Sequence, residues 1–216
     1  MDGTMMDRAD TTDKDGDAMT DLPGETLSVY RLLPSLGEYQ QLHLDSVGVR
    51  QLMRWQSAGA GAEPPALLSA EWMGERRWAR SEFPSGRPGA PVLSRRLADS
   101  LGDALSSAGR LVPVDIKGAK GEEYFLFLVE QVVDCLDLRR SSKPKRLDGE
   151  VKKPVFRVEA LPTKLPAFRL PQFPGAVQWN GWAADQLVDL TGDQIEKRLT
   201  WSQDPAAKPH PDPWGI

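Results

Sequence analysis

Two histidines and one cysteine are all that 216 residues offer toward metal ligation or thiol chemistry. His43 and His210 lie far apart in sequence and Cys135 stands alone, so a zinc site would need carboxylates for most of its ligands. The single cysteine also excludes an intramolecular disulfide framework and points to a reducing compartment. No basic stretch followed by an apolar core opens the sequence, so no secretory leader is expected. No apolar run approaches the roughly 18–20 residues of a membrane-spanning helix. Phosphate-cradling loops are missing as well: Gly59-Ala60-Gly61 runs into Glu63-Pro64-Pro65, which opens no helix. There is no Gly-x-Ser-x-Gly elbow, and Cys135 with His43 is a pair of residues rather than a motif.

An excess of positive charge is lacking too. The net charge is -4. Residues 1–25 alone carry seven Asp and one Glu against Arg8 and Lys14, which leaves the rest of the chain close to neutral. A near-neutral body has no overall field for nucleic acid or an anionic membrane. These absences together predict a cytoplasmic protein with no metal, no cofactor and no catalytic residues.

What is present is enough to build a core. Seven Trp, six Phe and a 40% apolar fraction support a packed globule. The fold class expected is α+β, a mostly antiparallel sheet with a few short helices packed on it. Residues 1–25 read as a disordered acidic tail, 26–204 as one domain, and 205–216 as a proline-rich tail whose Trp214 can dock on the body.

Within the domain, Leu27 to Leu33 and Tyr39 to Leu44 read as strands that could pair with each other, and Val47 to Trp55 as a short helix. Ser57 to Pro65 is a Gly/Ala/Pro loop. The firmest helix is Arg95 to Ala108, where Leu93, Leu97, Leu101 and Leu105 recur every four residues. Ser94 is its expected N-cap and Gly109 its left-handed C-cap, while Gly102 weakens its middle by about 1 kcal/mol. Leu111 to Ile116 reads as a strand, at a sheet edge because of Pro113. Glu123 to Leu138 reads as one long central strand, bent or bulged near Asp134. Lys153 to Glu159, Leu165 to Leu170 and Lys197 to Trp201 read as further strands, and Ala183 to Leu190 as a helix opened by Asn180 or Gly181.

The most specific pattern is a duplication. Pro-x-Phe-Arg-Val/Leu occurs at Pro154 to Val158 and again at Pro166 to Leu170. Paired as antiparallel strands, the copies would put Phe156 and Phe168 on one face and Arg157 and Arg169 on the other. Trp179-Asn180-Gly181-Trp182 follows, reading as a shaped loop that enters a helix and exposes at least one ring. Asp134 and Asp137 could serve a hydrolase cleft with His43, although Asp-x-x-Asp at a strand end is more often a turn or backbone cap. Asp13, Asp15 and Asp17 imitate a calcium loop, but Gly16 is fourth instead of sixth and no Glu fills the twelfth place. Arg139, Arg140, Lys143, Lys145 and Arg146 read as a solvated basic loop, without the interleaved aromatics that base stacking needs.

The order of features from Glu82 to Trp201 resembles a bacterial immunity-protein family, encoded beside polymorphic or contact-dependent toxins and first described from myxobacteria. The resemblance is carried by Glu82-Phe83-Pro84, then Pro91-Val92-Leu93-Ser94 opening the leucine-striped helix. It continues in the Tyr/Phe-rich strand running into Val133-Asp134-Cys135-Leu136-Asp137-Leu138 and Ser141, in Pro154-Val155-Phe156-Arg157, and in Ala183 to Leu190 before Thr191-Gly192. Trp179-Asn180-Gly181-Trp182 stands where that family pattern would have a serine-type cap, and LPAFRLPQFPG is inserted. The resemblance implies a non-enzymatic protein that binds and neutralises a cognate toxin. The anchors expected for that partner are Trp179, Trp182, Arg157 and Arg169, with Asp185 as a polar rim contact. The competing expectations are a hydrolase-type enzyme using Asp134 and Asp137, or a structural scaffold.

Overall fold

A computed structural model describes residues 26–58, 63–87, 89–119 and 121–215. The acidic tail, with its calcium-like aspartates, and Gly59-Ala60-Gly61 lie outside the described residues.

The chain is α+β, built on two sheets. The first is four-stranded and wholly antiparallel, in the order β11 (Ile195–Ser202), β1 (Ser28–Pro34), β10 (Phe173–Asn180), β9 (Ala167–Leu170). The second has seven strands, in the order β4 (Ala79–Arg80), β2 (Tyr39–Leu44), β3 (Leu68–Met73), β7 (Gly109–Ile116), β8 (Tyr124–Val129), β6 (Ala90–Ser94), β5 (Ser85–Arg87). Among the described residues three α-helices accompany them: α1 (Ser46–Ala58), α2 (Arg95–Ala108) and α3 (Gly181–Thr191).

Strand alternation divides the apolar residues among three cores. On β8, Phe127 and Val129 face a core shared with α2, α3 and the inner face of the four-stranded sheet, where Leu97, Leu101, Leu105, Trp179 and Leu187 meet. Tyr124, Leu126 and Leu128 face the opposite way, toward α1 through Leu52 and Trp55. The outer face of the four-stranded sheet is covered by the irregular segment 130–165 and the C-terminal strap. Cys135, Leu136, Phe156 and Trp214 fill that third core against Val29, Phe168 and Phe173.

Several sequence expectations hold at the residue level. Ser94 Oγ accepts a hydrogen bond from the Leu97 amide at 3.3 Å and so caps α2. Gly102 breaks the helix with φ 35° and ψ -113°. Trp214 docks, its indole nitrogen donating to the Val151 carbonyl at 3.0 Å.

Others are corrected. Tyr39 to Leu44 is a strand but joins the seven-stranded sheet, where it pairs with β3 and β4 and not with Leu27 to Leu33. Pro113 is not on an edge strand, since β7 lies between β3 and β8. Its register partner is Phe125, and the parallel ladder to β3 begins only at Val114, so the missing amide costs the β3 pairing nothing. Gly109 has an extended φ of 173°, not a left-handed one. It is glycine because a Cβ there would lie 1.9 Å from the Leu128 carbonyl oxygen. The strand from Glu123 stops at Val129, because the Glu130 and Gln131 amides both turn to bond the Ala108 carbonyl. Lys153 to Glu159 is not a strand; Phe156 makes one isolated bridge with Leu136. Trp179-Asn180-Gly181-Trp182 is not a loop: Trp179 and Asn180 end the strand β10, and Gly181 and Trp182 open α3.

Candidate functional site

A broad depression lies between α1 and a hairpin that closes over residues 141–155. Asp45 starts α1: one carboxylate oxygen accepts from the Val47 and Gly48 amides at 2.8 and 2.9 Å, the other from Ser69 at 3.2 Å. These backbone donors hold the Asp45 carboxyl below its usual range. One face of α1 buries Leu52, Trp55 and Gln56. Gln56 donates to the Gly89 carbonyl at 2.8 Å, and the Arg169 guanidinium lies 4.5 Å from the centre of the Trp55 ring. Met53 turns outward and is 59% exposed.

The facing hairpin is held by paired bonds. Ser142 and Lys153 exchange the Ser142 amide to the Lys153 carbonyl at 3.0 Å and the Lys153 amide to Ser142 Oγ at 2.9 Å. The Lys145 amide bonds the Glu150 carbonyl at 2.9 Å, and Lys145 Nζ pairs with Glu150 at 2.7 Å. Gly149 has φ 77°, and a Cβ there would fall 2.2 Å from the Gln172 carbonyl oxygen, so only glycine lets the tip lie this close to the β9–β10 turn. Phe173 and Trp214 form part of the floor, edge to face with ring centres 4.9 Å apart. The result is an open groove of about 590 Å³ with Leu52, Met53, Leu147, Phe173 and Trp214 among its walls. Leu147, at the hairpin tip, is 97% exposed.

The five expected anchors do not share a face. Trp179 is 1% exposed, with its ring 5.9 Å from Phe127 in the core between the sheets, so it cannot meet a partner directly. Arg169 is also buried. Its Nε donates to the Val129 carbonyl at 2.6 Å and its Nη1 to Pro174 at 3.1 Å, and burial pulls its pKa down. The guanidinium thereby ties the end of β8 to β10 and to Trp55 of α1, which is a structural task. Arg157 is at the surface, bound to Asp134. Asp134 accepts a hydrogen bond from Gln172 at 3.1 Å, and Gln172 lines the groove, so Arg157 lies just beyond its rim. Trp182 and Asp185 line a separate cleft of about 90 Å³ beside Ser28 and Thr163. There Trp182 donates to the Thr163 carbonyl at 3.0 Å and Asp185 pairs with Lys197.

The residues considered for catalysis are dispersed. Asp137 Oδ1 accepts from the Arg139 and Arg140 amides at 3.0 and 3.2 Å and serves as a turn cap. His43 is exposed on β2 in the other sheet. Cys135 is fully buried, and desolvation pushes its thiol up to about 12, the opposite of what a nucleophile needs. No group of three His, Cys, Asp or Glu among the described residues is placed to hold a metal ion. No helix among them is long and apolar enough to cross a membrane.

The wall residues Met53 and Leu147 escaped the sequence reading. Leu147 had a signal, a lone leucine in a run of cations, which a reading of that run as solvated loop passes over. No family model matches this chain, and no curated protein matches it.

Proposed function

We propose that the protein is a non-enzymatic binding protein of the immunity type, which neutralises a cognate bacterial toxin in the cytoplasm by covering part of its surface. The contact face in this reading is the groove between α1 and the 141–155 hairpin, flanked by Arg157. The observation that carries it is the pair of outward apolar side chains, Leu147 and Met53, beside a preformed groove of about 590 Å³. Covering a leucine or methionine is worth about 1.5–3 kcal/mol each, and a rigid groove binds without first ordering its walls. An inhibitor needs such a surface and no reactive groups. The hydrolase reading has less support, because Asp137 is occupied with backbone amides and Asp134 with Arg157 and Gln172.

Co-expression with the toxic domain encoded beside the gene tests the reading. Growth should be restored by the wild-type chain. Continued killing, with the chain present as soluble protein, ends it.

A further inference from the structure

The hairpin carries a charge that the fold does not use. Between residues 139 and 153 there are seven cationic side chains against Asp148 and Glu150. Of these seven, only Lys145 forms an ion pair among the described residues, with Glu150. Arg139, Arg140, Lys143, Arg146, Lys152 and Lys153 are all exposed, and none makes an ion pair among the described residues. Six unpaired cations held on one short hairpin repel one another, and the cost is relieved by any anionic segment laid across them. The groove beside them is walled mostly by apolar side chains, with Asp148 and the Lys145-paired Glu150 as its ionisable residues, so its best occupant puts acidic groups on the cations and apolar ones into the groove.

The same chain supplies such a segment. Residues 1–25 carry eight acidic side chains against two basic ones, with Met5, Met6, Met19 and Leu22 among them. The tether reaches. Thr26 and Leu27 border the cleft at the Asn180 end of β10, and the groove lies at its Phe173 end. Seven residue-to-residue steps of strand separate those ends, about 23 Å. Twenty-five residues extend to about 80–90 Å, so the segment can turn back along the whole distance. A tethered ligand of this length acts at an effective concentration in the millimolar range, where even a weak salt-sensitive contact is populated.

We propose that residues 1–25 dock in cis on the cationic hairpin 139–153 and its groove, as an intramolecular occupant that any partner of this face must displace. The inference uses the groove but not the identity of a partner, so it stands or falls apart from the function proposed above.

The test is made on the full chain with a nitroxide attached at Gly3→Cys. Buried Cys135, with its thiol pushed up to about 12, leaves the new cysteine as the one that labels. At about 0.01 M salt, where charges act over roughly 30 Å, amide signals of 139–153 and of Met53 to Ser57 should lose most of their intensity. At about 1 M salt, where that range is roughly 3 Å, they should recover. Replacing Arg139, Lys143, Arg146 and Lys152 with serine should abolish the loss, as should Asp→Asn at Asp7, Asp10, Asp13, Asp15 and Asp17. Both variants are checked for an otherwise unchanged amide spectrum. Undiminished signals at low salt would overturn the proposal, and so would a loss that survives the charge removal. Signal loss transferred to an unlabelled second copy in a mixed sample would also overturn it, since the contact would then be between molecules.

Discussion

Two stretches of the chain spell nearly the same five residues and end in different places. In Pro154 to Val158 and Pro166 to Leu170 the phenylalanines share a fate: Phe156 and Phe168 are 2% and 0% exposed, edge to face at 6.1 Å in the core beneath the four-stranded sheet. The arginines part. Arg157 lies at the surface on Asp134, while Arg169 is sealed between β8, β10 and Trp55. The second copy belongs to β9, paired to β10 along one side and bridged to Val132 on the other. The first touches its neighbour through one bridge, Leu136 to Phe156. A motif determines which side chain is apolar enough to go inside. Its neighbours in the sheet decide whether the charged residue beside it follows.

The comparison breaks most readily at the rings. Phe156→Ala and Phe168→Ala should each cost about 3–5 kcal/mol, measured by denaturant unfolding, because each empties a core position. A double-mutant cycle should return about 0.5–1.5 kcal/mol of coupling between them, and a value near zero would show that the observed contact does not hold in solution.

The arginines should then diverge. Arg169→Ala leaves the Val129 and Pro174 carbonyls without their donor and removes the group that stacks on Trp55, at a cost of about 2–4 kcal/mol. Arg157→Ala, on an exposed side chain with a solvent-screened partner, should cost less than about 1 kcal/mol. Equal effects would mean that the two copies are equivalent after all.

The smallest effect is on pH. Cys135 lies in the core that both phenylalanines share, and its thiol is raised by burial from 9.0 to about 12. The folded state therefore keeps a proton that the unfolded state loses. Its contribution is intact below pH 9 and is lost as pH climbs toward about 12. Melting temperatures of wild type and Cys135→Ala across pH 8–11 should converge as pH rises, and parallel curves would contradict the burial.

Much of this fold was legible because local and tertiary preferences agreed. The leucine stripe from Leu93 to Leu105 gave α2 with its Ser94 cap, and the β-rich run at Leu27 to Leu33 gave β1. The failures fall where neighbours overrule the local signal. The apolar run after Tyr124 looks like one strand to Leu138, yet polar Glu130 and Gln131 mark the point at which the chain leaves the sheet to bond Ala108. Pro174 and Gly175 disguise β10, which absorbs them in a register shift between Phe173 and Val177. Tryptophan and arginine are the residue types that favour interfaces, but the same types also fill cores. Trp179 and Arg169 did that, while the exposed surface fell to Met53 and Leu147, which no periodicity singles out.

In the function proposed above, this molecule acts through the groove between α1 and the hairpin. The most direct test is the dissociation constant of the purified chain for the toxin domain proposed as its partner, measured with Met53→Asp and Leu147→Asp together and with Arg157→Ala alone. Binding should weaken more than about 100-fold with the groove pair and less than about tenfold with Arg157→Ala. Wild-type affinity in the folded groove variant would contradict it.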